Sequence, residues 1–176
     1  MQKLYLDCDG VILNTIFNSY KLLREQGITR EEEIIAYYKQ LDWDAFITSS
    51  GEIDNASLKI RTLYESRLFD IKILTHVNSE KEALAKKNYF RGVLPEVEVI
   101  TVFKDTKKAD AVEAKDAILV DDYLGNLEDW YEKGGIPIKF SDSGKECQFV
   151  SITSLLELFA LMPLNGKTKR RGVNKK

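Results

Sequence analysis

The sequence predicts an α/β fold: a parallel sheet with helices on both faces and a small helical cap inserted after the first strand. Three observations lead there. Short apolar, β-rich runs alternate with helical stretches from residue 70 to residue 140, the rhythm of strands joined by helical crossovers. Residues 15–68 break that rhythm with helical spacing alone. The runs LYLDCD and AILVDD each end in a pair of acids, and in parallel sheets ligands gather at the carboxyl ends of the strands.

Residues 3–13, KLYLDCDGVIL, read as a short buried strand that passes into a loop at Asp-Cys-Asp-Gly. Helical spacing follows, with Ile16, Tyr20 and Leu23 on one face, then Ile34, Tyr37, Tyr38 and Leu41 on another. Two further helices are expected near 42–48 and 55–68, punctuated by Ser49, Ser50 and Gly51, with Asp54 as a candidate cap. Residues 70–74 (DIKIL) give a second buried strand. Residues 79–90 give a helix with Glu80 and Glu82 early and lysines late, a placement that suits the helix dipole. Strands at 97–102, 117–120 and 136–140 alternate with helices near 107–114 and 126–133. An amphipathic helix over 152–161, stopped by Met162-Pro163, closes the pattern. The expected organisation is an α/β core of residues 1–14 and 69–164, a helical cap of residues 15–68, and a basic, disordered tail of residues 165–176.

A chain of 176 residues, 44% hydrophobic, has room for one sizeable core and a small accessory lobe. Its net charge of -2 hides an asymmetry, because the tail carries six bases and no acid, leaving 20 bases against 28 acids before it. An acidic body argues against a nucleic-acid coat, although the tail itself could be a solvated end, a tag or an anion-binding arm. Cys8 and Cys147 fit neither a metal motif nor a secreted disulfide framework, so a reducing cytoplasm is expected. No apolar stretch approaches a membrane span.

Asp7 and Asp9 can face one pocket unless the chain turns between them, because residues two apart in a strand point the same way. Asp121 and Asp122 follow the buried run AILV, and two such strand ends can lie side by side. Four converging carboxylates would repel one another without a cation. They would form a hard-oxygen site of the kind that suits Mg²⁺. Taken separately, each pair could equally cap the following helix.

In order, Asp7-Cys-Asp-Gly-Val-Ile, Thr75 after IKIL, a lysine at Lys107 or Lys108, and Asp121-Asp122 resemble the four motifs of the haloacid dehalogenase (HAD) superfamily. The resemblance covers residues 3 to about 140. The short chain and helical insert look most like the small 5'(3')-deoxyribonucleotidase-type branch. It implies a Mg²⁺-dependent phosphatase in which Asp7 attacks phosphorus and Asp9 serves as acid and then base. Thr75 and a lysine would contact the phosphoryl group, and Asp7, the Asp9 carbonyl, Asp121 and Asp122 would hold the metal. Lys108 heads the helix leading into AILVDD and is favoured over Lys107 and Lys104.

Around these residues the assignments are more open. His76 could touch substrate or flank the loop. Phe17, Tyr20, Trp43 and Phe46 could stack a ring or fill the lid, and Trp43 and Phe46 are taken as substrate contacts. Arg61 and Arg67 could reach an anion or lie in solvent. Asn126 could support the acidic pair. Cys8, between the two aspartates, points to the opposite face as a core residue. The expected partner is a small phosphorylated substrate, with a 5'-nucleotide or another small metabolite as candidates. A phosphomutase or a silent binding module on the same scaffold would share these motifs. Asp9 speaks against a dehalogenase, whose chemistry needs no acid for an alkoxide leaving group.

Overall fold

The structure, a computed structural model, describes residues 1–141 and 147–161. The chain runs β1 (Gln2–Leu6), α1 (Thr15–Glu25), α2 (Glu31–Gln40), α3 (Trp43–Ser50), α4 (Ala56–Glu65), β2 (Phe69–Val77), α5 (Glu80–Val93) and β3 (Glu98–Phe103). It continues through α6 (Lys108–Ala111), β4 (Ile118–Asp121), α7 (Leu124–Glu132), β5 (Ile136–Phe140), β6 (Val150–Ile152), a 3-10 turn at Leu155–Glu157 and α8 (Leu158–Leu161). All strands are parallel, in the order β3-β2-β1-β4-β5-β6. This is the doubly wound order, whose direction of winding reverses beside β1 and opens a crevice at the strand ends there.

Side-chain alternation sorts the core onto the two faces of the sheet. Leu4, Leu6, Ile71, Ile73, Ile118, Val120 and Ile138 share one apolar cluster with Phe90 of α5, Phe46 and Ile47 of α3, and Ile60 and Leu63 of α4. Tyr5, Leu74 and Leu119 form the other with Ala109 of α6 and with Leu127 and Trp130 of α7. The Trp130 indole stands edge-on to Tyr5 and donates to the Ala117 carbonyl at 2.9 Å, which closes this second layer.

The chain leaves and returns to the sheet through a short antiparallel crossing. Leu13 bridges Glu52, Ile53 N–H donates to Ile12 O at 2.8 Å, and Asn14 N–H donates to Gly51 O at 3.0 Å. Asp42 caps α3 through Ala45 N–H at 3.0 Å. Asp54 does not cap α4: its backbone is left-handed, and the Glu52 carboxylate instead accepts from Ser57 N–H at 2.9 Å.

The expected helix over 152–161 is replaced by β6 and the short α8. Ile152, Leu155 and Leu158 are all buried at three-residue spacing, which mimics a helical stripe. In fact Ile152 reaches the core as an edge-strand residue paired with Phe140, and a capping box between Ser154 and Glu157 starts the helical turn only afterwards. Met162-Pro163 and the basic tail lie outside the described residues. Among the described residues, no helix is long and apolar enough to cross a membrane.

Candidate active site

Asp7 lies one residue beyond β1, and its N–H still donates to Val120 O at 2.9 Å. Strand pairing therefore fixes the position of its backbone beside β4. The chain then turns: Ile12 and Leu13 N–H both donate to Cys8 O, at 3.0 and 2.9 Å. Gly10 sits at φ +78°, and a Cβ there would come within 2.4 Å of Asp122 Oδ2. Gly10→Ala would have to displace the Asp122 carboxylate. We expect it to cost about 1–2 kcal/mol for the left-handed backbone and to weaken divalent-cation binding about tenfold, as read by urea denaturation and metal titration.

Carboxylate oxygens of Asp7, Asp121 and Asp122 lie within 4.8 Å of one another. Asp7 and Asp121 are buried. Lys108 Nζ sits between these two, 2.7 Å from Asp7 Oδ1 and 2.8 Å from Asp121 Oδ2. Asp121 also accepts from Tyr123 N–H at 2.8 Å and from Asn126 Nδ2 at 2.9 Å, so its orientation is fixed on both oxygens. Lys139, beside Asp121 in the sheet register, donates to the Asp122 carbonyl.

Burial pushes the Asp7 carboxyl well above the usual range, with Lys108 opposing the shift and the neighbouring aspartates adding to it. Burial and Asp121 push Asp122 up to about 6. Two ammoniums, Lys108 between Asp7 and Asp121 and Lys139 beside Asp122, thus face three clustered carboxylates. This donor set, hard oxygens with excess negative charge, fits a divalent cation. Burial would lower the Lys108 ammonium, but Asp7 and Asp121 hold it above its ordinary value.

The Asp9 carboxylate lies outside that cluster and faces β2. Its Oδ1 accepts from Thr15 Oγ1 at 2.6 Å, and its Oδ2 accepts from Lys86 Nζ at 2.6 Å and Thr75 Oγ1 at 3.2 Å. Burial alone would raise its carboxyl, but Lys86 brings it below the usual range.

A cleft of about 760 Å³ joins the two groups. Asp7, Asp9, His76, Lys108, Asp122 and Asn126 line it, together with residues of α1, α2 and α3. Lys104 and Lys107 reach only its exposed mouth, where Lys107 pairs with Asp129 at 2.6 Å. Trp43 and Phe46 line the cleft, yet both are buried in the core cluster they share with the sheet, with Trp43 stacked on Tyr38 and edge-on to Phe46. Tyr20, 71% exposed, and Tyr123, 66% exposed, are aromatic rings the cleft leaves open, whereas Phe17 does not line it. His76 Nε2 is 3.0 Å from Thr106 O. Arg61 is held by Val93 O and Glu96 and Arg67 lies over Tyr64, both away from the cleft. Cys8 is fully buried in the core.

Lys86, Glu82, Thr15 and Lys139 stand at the site although no sequence motif points to them there. For Lys86 a signal existed: it falls in line with Ala83 and Phe90 on the buried stripe of α5, four residues after Glu82.

No protein-family model matches the chain, and no curated protein does. Solved structures do. The candidate HAD-hydrolase YfnB of Bacillus subtilis, bound to magnesium, superposes with a TM-score of 0.63 at 16% identity over 91% of this chain and 97% of its own. A HAD-superfamily hydrolase of subfamily IA from Geobacter sulfurreducens gives 0.61 at 11% identity over 92% of this chain and all of its own (100%). D,D-heptose 1,7-bisphosphate phosphatase from Burkholderia thailandensis gives 0.54 at 14% identity, covering 92% of this chain and 99% of its own. The chain has the fold of the HAD-superfamily hydrolases.

Proposed function

We propose that the protein is a Mg²⁺-dependent phosphate monoester hydrolase that works through an aspartyl-phosphate on Asp7. The observation that carries this reading is the buried Asp7 carboxylate grouped with Asp121 and Asp122 at the open end of β1 and β4. Asp7, Asp121, Asp122 and the Asp9 carbonyl would hold the cation. Bound there, Mg²⁺ would offset the repulsion between these carboxylates and the phosphoryl oxygens. Lys108 holds Asp7 in place and supplies positive charge where the phosphoryl group must enter. Thr75 supplies a hydroxyl beside Asp9. Asp9, the carboxylate set apart from the cluster, protonates the leaving oxygen and then deprotonates the attacking water. Residues 15–68 act as the cap, with α1 to α3 excluding water from the cleft.

The substrate in this reading is a small phosphorylated metabolite. The cleft volume of about 760 Å³ lies within the range of small-molecule sites. A 5'-nucleotide is the best single choice, because Tyr20 offers an open ring to a base at the cleft mouth and Lys104 lies there without a side-chain partner among the described residues. Two free cysteines suit the reducing cytoplasm.

The test is phosphate release from a panel of deoxyribonucleotides, ribonucleotides and sugar phosphates, with Mg²⁺ and with chelator. Metal-dependent release supports the reading, and the preferred panel member names the substrate. No release from any ester would defeat it. A second expectation concerns pH. A carboxyl at about 6 on Asp122 binds a proton in competition with the cation. Apparent Mg²⁺ affinity should therefore fall as pH drops through 6, by about tenfold per unit for each proton displaced. Thermal-shift titrations between pH 5 and 8 would read this.

A further inference from the structure

Lys86 is a charged side chain with no exposed surface, on the buried face of α5. Two residues earlier Leu84 is 59% exposed, so α5 inverts the usual assignment of lysine to solvent and leucine to the core. A buried ammonium persists only when it is paired and hydrogen-bonded. Lys86 Nζ has four acceptors: Asp9 Oδ2 at 2.6 Å, Thr75 Oγ1 at 2.9 Å, His76 O at 2.9 Å and Glu82 Oε1 at 3.0 Å. Glu82 is itself fixed, since its Oε2 accepts from Asn78 N–H at 2.8 Å and Asn78 Nδ2 at 2.9 Å. The ammonium is therefore held from behind and aimed at Asp9.

The two oxygens of Asp9 differ as a result. Oδ2 accepts from both Lys86 and Thr75, and the lysine has no way to turn its donors aside. Among the described residues Oδ1 accepts only from Thr15 Oγ1, and that hydroxyl has a second acceptor in Leu13 O at 3.4 Å. Thr15 can turn to Leu13, so Oδ1 can carry a proton without two donors meeting.

We propose that Lys86 is the positioning residue of the reaction, locking Asp9 Oδ2 as a permanent acceptor so that the transferred proton is carried on Oδ1 alone. This rests on the phosphatase reading. In the first half, a carboxylate oxygen of Asp7 bonds to phosphorus as the ester P–O bond breaks. The leaving oxygen takes the proton from Asp9 Oδ1, and Asp9 is left as a carboxylate. In the second half, water attacks phosphorus, its proton returns to Oδ1, and the bond from Asp7 to phosphorus breaks to release phosphate. Lys86 makes no contact with substrate in either half.

The test compares kcat/KM for an alkyl phosphate, whose alkoxide must be protonated to leave, with that for p-nitrophenyl phosphate, whose phenolate need not be. This ratio reports steps up to departure of the leaving group. In Lys86→Gln the alkyl ester should lose about 100-fold and the aryl ester less than about threefold. In an Asp9→Asn background the same substitution should add no further discrimination. Equal losses on both esters, or added discrimination in the Asp9→Asn background, would overturn the proposal. Should Lys86→Gln fail to fold, Glu82→Gln, which loosens the ammonium without touching Asp9, should shift the ratio in the same direction, and equal losses there overturn it too. Wild-type inactivity on both esters would instead defeat the phosphatase reading, and this inference with it.

Discussion

Asp7→Asn should abolish phosphate release, lowering kcat by about four orders of magnitude or more, the scale on which loss of a covalent nucleophile is felt. The fold should survive. The amide keeps the size of the side chain and an oxygen able to accept from Cys8 N–H, a bond of 2.8 Å in the wild type. Lys108 keeps its 2.8 Å pairing with Asp121. One of three mutually repelling carboxylates is removed, so stability without metal should change little while Mg²⁺ binding weakens. Phosphate release at saturating substrate and Mg²⁺, with circular dichroism melts of both proteins, makes the comparison. A variant retaining more than about 1% of wild-type turnover would show that Asp7 does not attack phosphorus, since an amide cannot take over that step.

The parts of this molecule that could be read from its sequence were those in which chemistry is attached to periodicity. Asp7, Asp121 and Asp122 directly follow apolar strands, and parallel pairing of β1 with β4 sufficed to bring them together. Asp9 shows the limit of that logic. Strand geometry would have turned it the same way as Asp7, but β1 ends at Leu6 and the turn closed on Cys8 O swings the Asp9 carboxylate toward β2. Tertiary placement also decided the aromatic residues. Trp43 and Phe46 pack into the core cluster beside the sheet, and Tyr20 and Tyr123 remain exposed along the cleft. Lys86 was hidden by its company, because Lys81 and Lys87 on the same helix are exposed and composition cannot tell the three apart. The edge strand β6 was masked by an apolar spacing that a helix would share.

Lys108→Met should be the most destabilising single change at the site. With the ammonium gone, Asp7 and Asp121 remain as buried carboxylates facing each other and Asp122, and breaking such a pair from one side costs about 3–5 kcal/mol. Methionine fills much of the same volume, so the loss would reflect charge more than packing. The two effects separate on adding Mg²⁺. A cation among the three carboxylates supplies the missing positive charge, so the rise in Tm with Mg²⁺ should be larger in Lys108→Met than in wild type, while kcat stays depressed. Urea denaturation with chelator and with saturating Mg²⁺ gives both terms. An unchanged midpoint in chelator would mean that Asp7 and Asp121 are not ionised together in the metal-free protein. The excess negative charge on which the proposed cation site rests would then be absent.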